Sequence, residues 1–219
     1  MMTKEDLLIF PRNGNGLEAL HCVGPRLHLI GFIDDDEKKQ GTDPLGHRVL
    51  TRDALDVYPR AGVLAVPGSP DSYRARMDII HGLCPDDRRF VSIIHPSAQV
   101  SPFAQVGFNT LIMAGVAITG NAVIGNHVII LPNTVIHHDS EISDWSIIGS
   151  GVTIAGSVTI GENCYIGSGS HIMHGLSIGD RTLIGLGSTV IRTVEADLKA
   201  AGNPARIIGS TNNGQERGL

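Results

Sequence analysis

Histidine and aspartate stand side by side at His138-Asp139. An imidazole can take up a proton near neutral pH, and a carboxylate beside it can fix its tautomer and stabilise the cation that forms. Neighbours in a regular strand point to opposite faces, so the pair works as a unit only where a turn folds one side chain toward the other. Four more histidines lie close in sequence, His127, His137, His171 and His174. They could supply nitrogen ligands to zinc, although no spacing among them demands a metal, and a histidine on such a surface is ordinarily solvated. A second group suits another task. Pro11-Arg12-Asn13-Gly14-Asn15-Gly16 separates an apolar run at 7–10 from helix-favouring Leu17-Glu18-Ala19-Leu20. Backbone N–H groups of a Gly-containing turn can approach a phosphate, and a carboxylate of Asp34-Asp35-Asp36 can hold a ribose or sugar hydroxyl. Taken alone, these residues fit a plain turn and a solvated acidic run equally well.

The elements that must position these groups are of two kinds. From Ile94 to Glu195 run seventeen consecutive hexapeptides, each opened by Ile or Val, from Ile94, Val100 and Val106 to Ile184 and Val190. A period of six fits neither a helix face nor one long strand, but it fits short strands and turns, three to a coil of a parallel β-helix. The openers then point inward, the small or β-branched fifth positions fill the corners, and glycines such as Gly149 and Gly167 ease the turns. Five to six coils give roughly 27 Å of stack at about 4.8 Å per coil. His138 and His174 are two coils apart, about 9.6 Å, on one face. Ahead of the repeats, strands at 7–10, 27–33 and 63–66 alternate with helices at 17–20 and 72–83, and residues 90–94 lead into the first coil. This alternation predicts a small parallel sheet, a Rossmann-like half domain.

Composition narrows the function. A net charge of -5 without a basic cluster argues against a nucleic-acid partner. No apolar stretch is long enough to span a bilayer and residues 1–10 lack the pattern of a signal peptide, so neither membrane insertion nor export is expected. Cys22, Cys84 and Cys164 are odd in number and widely spaced, which fits reduced thiols in the cytoplasm.

Several motifs together identify a family: Gly14-Asn15-Gly16, Phe32-Ile33-Asp34-Asp35, His95-Pro96-Ser97-Ala98, His138-Asp139, the Ile-Gly repeats and the closing Gly202-Asn203-Pro204-Ala205. Over residues 5–208 the chain resembles the hexapeptide-repeat sugar acetyltransferases, the nucleotide-linked amino-sugar N-acetyltransferases and their sialic acid O-acetyltransferase relatives. The resemblance implies an α/β Rossmann-like sugar-nucleotide-binding domain at 1–93, an all-β left-handed parallel β-helix with a cap at 94–209, and a flexible tail at 210–219. It implies a cytoplasmic homotrimer with active sites between subunits, acetyl-CoA as co-substrate, no metal, and a nucleotide-linked amino sugar acetylated on nitrogen for surface glycans. His138 aligns with the general base and Asp139 with the acidic residue that orients it. Ile147, Ser168 and Leu186 align with cofactor contacts, and Gly14, Asn15, Gly16, Asp34, Asp35 and Gly68 are the candidates for the sugar nucleotide. O-acetylation of a sugar or sialic acid is the nearest alternative, and a non-catalytic trimeric scaffold or a zinc protein of the carbonic anhydrase kind are the others. Three departures stand out: Pro11 where the family loop begins with Gly, Asn15 where it carries His, and Leu131-Pro132 where Asn-Thr precedes the base.

Overall fold

The computed structural model describes residues 5–84 and 86–212. In the first part, Leu7, Leu8 and Ile9 of β1 (Glu5–Phe10) are fully buried, the pattern of a parallel strand covered on both faces. A short helix α1 (Gly14–Ala19) follows. Its glycines are poor helix formers, but the Asn13 side chain accepts from the Gly16 N–H at 2.8 Å and caps it. Next come β2 (Leu27–Ile33), the expected strand, then β3 (Gly41–Thr42), β4 (Arg48–Leu50), α2 (Ala54–Val57), β5 (Gly62–Ala65) and α3 (Arg76–His81). The sheet order is β3-β4-β2-β1-β5, parallel except for β3 against β4. The expected helix at 72–83 is divided into a 3-10 turn, Tyr73–Ala75, and α3.

From Ile93 the chain winds into a three-sided prism of two-residue strands, each pairing in parallel with the strand 18 residues on, as Ile112 does with Ile130. Face A carries the strands from Ile93–Ile94 to Leu183–Ile184, face B those from Gln99–Val100 to Thr189–Val190, and face C those from Gln105–Val106 to Ser177–Ile178. From Ile112 to Val190 every opener is at most 2% exposed, whereas Ile94 in the uncovered first coil is 43% exposed. An antiparallel hairpin, Leu198–Gly202 with Ala205–Ser210, closes face A at the other end.

The turns are made at the fourth position of the repeats, not at the glycines of the second. Three columns of left-handed residues, one per corner, mark them: Asn109, His127, Trp145, Asn163 and Arg181 between faces C and A; Gly115, Asn133, Gly151, Gly169 and Gly187 between A and B; Asn121, Asp139, Ser157 and Gly175 between B and C. The second-position glycines serve coil spacing instead. A Cβ on Gly149 would lie 2.5 Å from the Ser168 nitrogen, and one on Gly167 2.5 Å from the Leu186 nitrogen.

The C/A corner carries the N-terminal part. Asn109 extends β5 by accepting from the Ala65 N–H at 2.7 Å and donating to its carbonyl at 3.0 Å. Asn163 donates to the Arg74 carbonyl, and the Tyr73 hydroxyl to the Arg181 carbonyl. Arg76, fully buried, donates to the carbonyls of Pro67, His127 and Trp145. Leu7, Phe32, Ile93, Leu111, Ile129 and Ile147 share one apolar core, which runs across the two parts. Of the tail expected from residue 210, Ser210 to Asn212 are tied down: the Thr211 N–H donates to Asp197, and Arg74 donates to Thr211 and Asn212. The rest lies outside the described residues.

Candidate active site

Asp139 occupies a left-handed corner, φ 57°, and that turn swings its carboxylate back onto the preceding imidazole. His138 Nδ1 and Asp139 Oδ2 are 2.7 Å apart, with both side chains about half exposed. The other carboxylate oxygen accepts from Asn121 Nδ2 at 3.1 Å. Hydrogen bonds from His138 and then Asn121 hold the Asp139 carboxyl below the usual carboxylate range, so it is ionised wherever an imidazole titrates. With Nδ1 engaged, Nε2 is the nitrogen left to exchange a proton. Beneath the ring lies Gly156: a Cβ there would come within 2.8 Å of Nε2. Neither Asn121 nor Gly156 stands out in the sequence, yet each is one 18-residue coil from the pair.

The other prism histidines part company. His127 is 2% exposed, stacked on Trp145 at 3.8 Å and bonded through Nδ1 to Asn109 Nδ2. Burial, reinforced by Arg76 and His81, pushes it down to about 3, so it remains neutral. His137, His171 and His174 are exposed. Among the described residues no three His, Cys, Asp or Glu side chains are grouped to hold a metal ion. Burial pushes the Cys22 thiol up to about 11 and Cys164 up to about 12, leaving neither as a nucleophile.

The substrate candidates divide as well. Gly14, Asn15 and Gly68 line a pocket of about 330 Å³ with Asn13, Ser69, Pro70, Leu131, Ile147 and Tyr165, between the loop and face A. Asn15 Nδ2 donates to the Gly68 carbonyl at 3.2 Å, joining its two rims. Gly16 lies elsewhere: a Cβ on it would sit 2.3 Å from the Pro11 carbonyl, so it is a close-packing glycine. Asp34 is 4% exposed and accepts from the N–H groups of Arg12 and Asp36 and from Lys39 Nζ. Asp35 is held by Arg52 at 2.6 and 2.7 Å, which lowers its pKa. Both carboxylates brace the loops around the sheet and do not reach the pocket lining.

The cofactor candidates are also separated. Ile147, 2% exposed, is a floor residue of that pocket under Gly68. Ser168 and Leu186 sit one coil apart beside the A/B corner, exposed, Leu186 by 82%. His138 occupies the B/C edge, which lies opposite face A, so within one chain the prism stands between the imidazole and the pocket.

Residues 103–138, 121–156 and 157–192 match the bacterial transferase hexapeptide family (six repeats). No curated protein matches the chain in sequence. Among solved structures, a histidine-to-asparagine mutant of perosamine N-acetyltransferase from Caulobacter crescentus, in complex with CoA and GDP-perosamine, is 26% identical over 94% of this chain and 97% of that one, TM-score 0.81. The acetyltransferase domain of PglB from Neisseria gonorrhoeae is 24% identical over 94% of this chain and all of that one, TM-score 0.81, a likeness of fold. WeeI from Acinetobacter baumannii shares that fold at 22% identity over 94% of this chain and all of its own, TM-score 0.76. The family's repeats cover residues 103–192, and the Caulobacter enzyme matches prism and N-terminal sheet together, so the chain is an acetyltransferase with the hexapeptide-repeat fold.

Proposed function

We propose that the chain moves the acetyl group of acetyl-CoA onto an amino group of a nucleotide-linked amino sugar, with His138 as general base. The observation that carries this is the His138–Asp139 pair, 2.7 Å apart at an open corner, in a chain matched nearly end to end by an enzyme solved with CoA and GDP-perosamine. The acceptor nitrogen attacks the thioester carbonyl carbon while Nε2 takes its proton. As the tetrahedral intermediate collapses, the C–S bond breaks and the imidazolium returns a proton to the thiolate. Asp139 stabilises the imidazolium between these steps, and backbone N–H groups hold the oxygen as charge builds on it.

The pocket bounded by Gly14, Asn15 and Gly68 takes the acceptor. Because it and His138 lie on opposite sides of one prism, a complete site combines the pocket of one copy with the imidazole of the next, as in a homotrimer. No described helix is long and apolar enough to cross a membrane. The cytoplasm, which holds acetyl-CoA, suits three buried and unpaired cysteines. Surface glycan synthesis is the pathway such a product would serve.

Thiol release from acetyl-CoA, followed over a panel of nucleotide amino sugars that includes GDP-perosamine, tests the activity. Mixed trimers test the site: copies carrying His138→Gln and copies carrying Gly14→Trp, which fills the pocket from an open position, each inactive alone, regain turnover when refolded together. If refolded mixtures stay inactive although the wild type refolds active and each variant refolds to its native oligomer, the shared site is wrong.

A further inference from the structure

We infer that Asn121 and Gly156 are positioning residues that fix the His138 imidazole for proton exchange at Nε2; this rests on reading His138 as the base. Asp139 Oδ1 accepts from Asn121 Nδ2 at 3.1 Å while Oδ2 faces His138 Nδ1 at 2.7 Å. A carboxylate held by a different donor on each oxygen cannot rotate without losing one of them, so the amide of Asn121 fixes the direction in which Asp139 meets the ring. The backbone reinforces this, because the Asp139 N–H donates to the Gly120 carbonyl and ties the two corners together.

Gly156 acts from the other side. A Cβ there would lie 2.7 Å from His138 Cε1 and 2.8 Å from Nε2, closer than carbon or nitrogen can approach. The ring therefore rests on bare backbone, and any side chain would push it out of line with Asp139. Gly156 has no left-handed φ, so its lack of a side chain is not required by its own conformation. Asparagine is common at these corners because it tolerates positive φ, and Asn109 and Asn163 spend their amides on the N-terminal part. Asn121 spends its amide on the base pair.

Asn121→Gly keeps the corner conformation and removes only the amide, so folding is preserved. The expected result is a kcat about tenfold lower, with KM for acetyl-CoA and acceptor unchanged. Nitrogen NMR of labelled histidine should show less of the Nδ1–H tautomer at His138. Gly156→Ala should shift the same resonances and lower kcat by about tenfold too. Wild-type kcat with a wild-type imidazole spectrum in Asn121→Gly overturns the role of Asn121, and the same result in Gly156→Ala overturns that of Gly156. His138→Gln separates the two levels. Turnover retained there sinks the base itself, while the tautomer measurement tests the positioning without reference to turnover.

Discussion

The C/A and B/C corners are made of the same part, a left-handed residue repeated every 18 positions, and they end in opposite chemistry. At the C/A corner His127 is covered by Trp145, Phe90 and Phe108, and this burial, reinforced by the nearby Arg76, drives its pKa down to about 3. At the B/C corner the His138 side chain is more than half exposed, and its neighbour is an ionised carboxylate. The backbone of the prism does not decide whether a histidine is buried mortar or an open imidazole beside a carboxylate. What lies over it does.

Four measurements can break or sharpen that contrast. The largest effect is expected for His138→Gln, which should cut kcat about 10²–10⁴-fold while leaving the thermal midpoint in place, since the side chain is more than half exposed. Next, Arg76→Met removes the donor to three buried carbonyls and should cost about 3–5 kcal/mol in urea unfolding. Unfolding at wild-type denaturant concentration would deny Arg76 its role as the clasp between the two parts. Third comes pH. His127 binds no proton in the folded state down to about 3, whereas the unfolded chain binds one below about 6.5. Between those values the unfolded state holds the extra proton, so stability is greatest above pH 6.5 and falls on acidification by at most about 1.4 kcal/mol per unit. His127→Gln should flatten that slope, and an unchanged slope would place the proton uptake elsewhere. The smallest effect is expected for His174→Ala, where kcat should change by less than about twofold, because His174 is exposed and separated from His138 by the coil of Gly156.

The sequence disclosed most where a period carried the information. Openers such as Ile130 and Ile160 are found by spacing alone, because each buries its side chain against copies of itself. Once the coil length is 18, the partners of the His138–Asp139 pair are in principle readable, yet Asn121 and Gly156 attract no notice without knowing which side chains face them. The C/A corner was illegible for a deeper reason. His127 and Trp145 belong to the same repeats as exposed residues, and the docked N-terminal part, α3 with Phe90, makes them core. The pocket shows the same limit: Gly14 and Gly16 are two positions apart in α1, but one lines the cavity and the other packs on Pro11. β3 and β4 escaped notice because strands of two and three residues around Pro44 and Gly46 carry almost no pattern.

The closing hairpin of face A has a bearing on solubility. Parallel coils of constant register are a template that a second molecule could extend, head to tail, into a fibre. Leu198–Gly202 continues the parallel stack, but Ala205–Ser210 runs back against it and turns the outermost edge antiparallel. An incoming first coil, with Ile94 exposed, would meet a strand of the wrong direction on that face. Lengthwise growth in the parallel register of the coils is thereby blocked on face A at that end.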